Sequence, residues 1–253
     1  MPMKITLKPR AARDLGSPAW VITRTIAIFL VSQFIASFIV LAALSVVHPG
    51  QNPSDLLDNS IPAQFFYVLF AEGLAAGLVF VALRQRRLSL GFIGLGRKPS
   101  QKDLFKGLVG FAVFYALLFG ASVLVSVFFP HLNTNQQQQL GFNNIVKSSD
   151  NILAFLALVV LPPFGEEPLM RGYLFSGLRA RVKFWPAALV TSVLFGAAHL
   201  EFGGGAPLLW AAGIDTFVLS MVLVYLREST GALYAGILVH LLNNLVAFGV
   251  HFK

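Results

Sequence analysis

NILAFLALVVLPPFGEEPLMRGYLF, residues 151–175, is long enough to cross a bilayer and yet carries two glutamates and an arginine. About 20 consecutive apolar residues cover the hydrocarbon core as a helix. Ionisable side chains within that core are costly, so they face the interior of a bundle and serve a function. Outward from this stretch the chain repeats the pattern. Of its 253 residues 56% are hydrophobic and only 12% charged, about half the charged share of a soluble domain. Seven apolar stretches meet or approach spanning length, at 20–47, 61–84, 106–130, 151–175, 184–200, 207–226 and 230–252. The predicted fold is an all-α, polytopic membrane bundle of about seven helices, with an eighth left open. The short apolar piece Leu88–Leu95 is expected to lie along the interface.

Charge sets the orientation. The net charge of +8 is concentrated between alternate crossings. Arg84, Arg86, Arg87, Arg97, Lys98, Lys102 and Lys106 fall between the second and third. Arg179, Arg181 and Lys183 fall between the fourth and fifth, and Arg227 follows the sixth. The other loops hold little besides Lys147. This is the positive-inside bias of a multi-pass protein of the cytoplasmic membrane with a cytoplasmic N-terminus. It points to lipid headgroups and not to nucleic acid. The tail with Lys4, Lys8, Arg10 and Arg13 precedes an apolar run too long for a cleaved signal. With no cysteine, disulfides, thiolate ligands and a cysteine nucleophile are excluded.

Polar residues 131–150 divide the chain into a three-helix region, 1–130, and a four-helix region, 151–253, with Asp150 as an expected N-cap. The second region holds three motifs. In Glu166-Glu167-Pro168-Leu169-Met170-Arg171 the neighbouring carboxylates point about 100° apart. Glu167 precedes Arg171 by four, the favoured ion-pair order, which leaves Glu166 free to take a proton. Pro162, Pro163 and Pro168 should kink or open the backbone there. Phe195 and His199 share a helix face, as do His240 and Asn244. An imidazole beside a carboxylate can hold a water or a metal, and an imidazole with an amide can donate to an oxyanion. Glu166 and His199 lie at equal arc length from the turn between their helices, hence at equal depth. Asn243 is expected to point elsewhere. Glu72 and Asp215 are further intramembrane acids, with a histidine, Arg24 or Arg171 as expected partners.

The ordered set Glu-Glu-x-x-x-Arg, Phe-x-x-x-His and His-x-x-x-Asn resembles the CPBP (Abi) family, which includes type II CAAX prenyl endopeptidases and bacteriocin-processing proteins. The likeness covers roughly residues 151–250. It implies an intramembrane endopeptidase in which Glu166 activates water beside His199. His240 and Asn244 would then stand at the scissile carbonyl, and Glu167, Arg171 and Phe195 in support. Some members are described as metalloproteases. A zinc ion would draw on His199, His240 and a carboxylate such as Glu166, with water fourth; without metal, Glu166 is the base directly. The implied substrate is a membrane-associated, CAAX-type lipidated peptide reaching a cavity in the cytoplasmic half, where Arg179, Arg181 and Lys183 meet its carboxylate. A transporter or proton relay, and a non-catalytic immunity or scaffold protein, are the rival readings.

Overall fold

A computed structural model describes residues 14–133, 136, 141–142, 145, 147–200 and 208–252. Residues 134–135, 137–140, 143–144 and 146 of the 131–150 connector, the basic tail and the turn at 201–205 lie outside them. The described residues form eight helical elements and no strand. They are α1 Pro18–Val47, α2 Pro53–Asn59, α3 Ile61–Gln85, α4 Gln101–Phe128, α5 Ser148–Arg179, α6 Phe184–Ala198, α7 Trp210–Thr230 and α8 Tyr234–His251. All but α2 and α6 are long and apolar enough to cross a membrane, and α6 is a shorter apolar helix. The protein is thus a multi-pass membrane bundle, in which six helices of spanning length and the shorter α6 account for the seven stretches that meet or approach that length.

Local chemistry sets the starts and stops. Ser17 caps α1 by accepting from the Trp20 N–H, with Pro18 at the first position, where its missing N–H costs nothing. Ser60 caps α3 in the same way through Ala63. Asp103, in the first turn of α4, accepts from the Ser100 N–H at 2.8 Å. α7 stops at Gly231, whose φ of 67° is the left-handed conformation glycine adopts without strain. The α5 cap differs from the expected one. The helix begins at Ser148, so Asp150 stands inside the first turn and accepts from the Lys147 N–H at 3.0 Å.

α5 is the central helix. It packs against α1, α3, α6, α7 and α8, whereas α4 packs mainly against α7 and α8. Small residues permit the closest approaches. A Cβ on Gly165 would fall 2.9 Å from the Glu72 Cα of α3, and one on Gly196 of α6 would fall 2.8 Å from the Gly213 carbonyl of α7. Neither site can take a larger residue without separating its helices.

The basic loops gather at one end of the bundle and are stitched together there. Arg179 forks onto Glu228, Arg181 onto Asp14 and Arg97 onto Asp103. Arg227 donates to the Phe92 carbonyl and the Ser176 hydroxyl. The Leu88–Leu95 piece belongs to this cap. Within it Ile93 is 2% exposed and Leu90 44%; Ile93 packs on Gly172 of α5, because α5 offers no side chain there to hold it off.

Candidate active site

The two proline positions shape α5. Leu156–Val160 and Pro168–Phe175 are π-helical, and the intervening Leu161–Glu167 is α-helical. The helix widens at the prolines where a kink or gap was expected. Wide turns of this kind recur at functional sites because they re-aim side chains. They also create an orphan. The Leu158 carbonyl would pair with the N–H of residue 162 in an α-helix or 163 in a π-helix, and both are proline. The Asn244 amide of α8 donates to it instead, at 3.1 Å.

Around this widened helix the three motifs meet. Glu166, Phe195, His199, His240 and Asn244 line a single polar cavity of about 190 Å³. Beneath it, Glu167 and Arg171 are fully buried and paired at 2.9 Å. The same Glu167 oxygen lies 3.0 Å from His240 Nδ1. A carboxylate only accepts, so His240 Nδ1 carries the proton and Nε2 is left toward the cavity, 3.8 Å from Glu166 Oε2. His199 is held likewise: Nδ1 faces the Phe195 carbonyl at 2.8 Å, which fixes the tautomer and leaves Nε2 with a lone pair. The Phe195 ring packs against both imidazoles and lies 4.2 Å under the Arg171 guanidinium, a cation–π contact in a desolvated place. Glu166 Oε2 has no hydrogen-bond partner.

The cavity contains residues that the motif spacing did not single out. Asn243 also lines it, contrary to the expectation that it points away, and accepts from the Tyr115 hydroxyl of α4 at 3.3 Å. Asp215 and Thr216 of α7 form another wall; Asp215 Oδ1 is buried without a hydrogen-bond partner. Of the expected partners of the lone acids, the two arginines are otherwise engaged, Arg24 with Gln85 and Arg171 with Glu167. Glu72 instead packs on Gly165, one residue from Glu166. A mid-helix aspartate was visible in the sequence, but its facing was not, since α7 is apolar on most of its circumference.

On their other side, Glu166, Phe195 and His199 line a second, apolar groove of about 340 Å³ between α1 and α6, with Ile26, Phe29, Met170 and Ala198. These side chains therefore separate a wet chamber from a hydrocarbon-like one.

Among the described residues, no group of three His, Asp or Glu side chains gathers closely enough to hold an ion. His240 Nδ1 is engaged by Glu167.

Fold and site together define a polytopic helical membrane protein with a polar chamber lined by carboxylate and imidazole groups. Residues 148–246 match the family model described as "Type II CAAX prenyl endopeptidase Rce1-like", so this part of the chain is similar to that family. An Escherichia coli protein described as "Uncharacterized 24.3 kDa protein" is 34% identical over 94 residues, 36% of this chain. The chain spans 41% of that relative. No solved structure matches significantly.

Proposed function

We propose that the protein is an intramembrane endopeptidase in which Glu166 activates water against a peptide bond of a membrane-associated substrate. One observation carries this reading: three motifs from α5, α6 and α8 converge on one cavity, and the Glu166 carboxylate there has an oxygen free. A water held between that oxygen and His199 Nε2 is aimed by two acceptors. Its proton passes to Glu166 as its oxygen bonds to the carbonyl carbon. The oxyanion takes the second N–H of Asn244 and, when His240 is protonated, its Nε2–H. The C–N bond then breaks, and the proton moves from Glu166 to the departing amine. Arg171 and Glu167 hold His240 in its tautomer and are positioning residues. Hydrolysis so described needs no metal. The apolar groove alongside suits a hydrocarbon chain, which supports a lipid-modified peptide as substrate.

The test is hydrolysis of lipidated and unlipidated peptides by detergent-purified protein. Glu166→Gln should lower the rate about 10²–10⁴-fold, the range for loss of a general base, and His199→Ala should also impair it. Equal rates for wild type and both variants overturn the assignment.

A further inference from the structure

α4 and α6 both pack on α7, and the gap between them is a groove of about 410 Å³ on the outside of the bundle. Its floor lies where α4 meets α7: a Cβ on Gly110 would fall 2.8 Å from the Leu226 side chain. Along α4 the groove runs from Lys106 to Leu117, about 16 Å at 1.5 Å per residue. That is the depth of one leaflet of a hydrocarbon core about 30 Å thick. The groove is polar at one end only. Lys106, Ser229, Trp185 and Tyr225 gather where α4 and α6 begin and α7 ends. Beyond them the walls are valine, leucine and methionine side chains. Trp185 and Tyr225 are more than half exposed, and such residues mark the headgroup level of a bilayer.

Positive charge stands at the polar end without an acid to match it. Lys106 gives one N–H to the Ser229 carbonyl at 2.9 Å and keeps two more. Lys102 lies one turn earlier on the same face of α4, and Lys183 immediately precedes α6. Both are exposed, and among the described residues neither is paired with a carboxylate. The acids of this end are already taken, Asp103 by Arg97, Glu228 by Arg179 and Asp14 by Arg181. Arg179 and Arg181, expected to meet a substrate carboxylate, are thus tied down, and the lysines remain.

We propose that this groove binds one anionic phospholipid of the leaflet at the basic end. An acyl chain lies along α4 against Val109 and Val113, and the phosphate sits among Lys102, Lys106 and Lys183. The occupant is matched to the groove in shape and in charge. A soluble anion leaves the apolar length unfilled, and a zwitterionic lipid brings no net charge to three lysines. The bound lipid bridges the peripheral α4 to α6 across α7. None of this depends on the hydrolase reading.

Of the three tryptophans in the chain, Trp185 lines the groove. Trp20→Phe with Trp210→Phe leaves it as the sole reporter. The protein is reconstituted in phosphatidylcholine vesicles holding a small fraction of phosphatidylglycerol or phosphatidylcholine brominated in the upper acyl chain, and contact quenching of the indole is read. Brominated phosphatidylglycerol should bind at Trp185 at least about fivefold more strongly than brominated phosphatidylcholine, the worth of one basic residue beside an anionic surface. Lys102→Gln with Lys183→Gln should bring the ratio close to one. Val109→Phe with Val113→Phe fills the groove at lipid-exposed positions and keeps the lysines. It should lower the ratio to that at Trp20 in a chain carrying Trp185→Phe and Trp210→Phe, which reports ordinary lipid at the same end. Equal quenching of Trp185 by the two lipids overturns the proposal. So does a preference as high at Trp20, or one that survives the lysine changes.

Discussion

α4 and α5 have nearly the same length and both read as membrane spans, yet they live in different solvents. In α4 the most apolar window has a mean hydropathy of 2.4 and is 11% buried within the protein; in α5 the figures are 1.6 and 44%. The more apolar helix is the peripheral one. α4 meets its neighbours through Gly107, Gly110 and Phe114 and shows Val109, Val113 and Leu117 to lipid. α5 gives up apolar content for a carboxylate pair, an arginine and three prolines, and is surrounded by protein. The helix that carries ionisable groups is the one that turns them inward.

Three substitutions press on that contrast, apart from the loss of turnover expected for Glu166→Gln. Arg171→Ala has the largest expected effect on stability. It strands Glu167 in a fully buried site, which costs about 3–5 kcal/mol for a broken buried pair. The double change Glu167→Gln with Arg171→Met should recover most of it, as read from thermal unfolding in detergent. Gly165→Ala comes next, at about 1–3 kcal/mol, because the added methyl forces α3 and α5 apart. The lipid-facing control Val113→Ala on α4 should stay within about 0.5 kcal/mol. If the two shift the melting temperature alike, the contrast between the helices is lost. Asn244→Ala has the smallest expected effect, about 1 kcal/mol for one hydrogen bond. Pro162→Ala supplies the missing N–H to the Leu158 carbonyl, so a double-mutant cycle should show a favourable coupling between them.

The sequence made the membrane bundle and the Glu167–Arg171 pair legible because both follow from short-range rules: run length and the four-residue spacing. It also drew attention to Glu166, His199 and His240, since each is a polar group in an apolar helix. What it concealed depends on rotation and depth. The prolines announced a disturbance in α5, but not that the turns would widen and redirect an orphaned carbonyl to Asn244. Asn243 was set aside on the 100° rule, yet the cavity is broad enough for adjacent positions of α8 to share it. Asp215 could not be oriented, and the short apolar piece around Ile93 gave no sign that a glycine on α5 would let it sink inward.

One further consequence belongs to α6. Fifteen residues make a rod of about 22 Å, some 8 Å less than a typical hydrocarbon core. Trp185, Leu189 and Val193 nevertheless face the lipid, so the shortfall is presented to the membrane itself. A flank this short is met by local thinning of the bilayer or by snorkelling of the residues beside it. Thinning there would bring the headgroup plane toward His199, at the end of α6, and shorten the path of water to the imidazole.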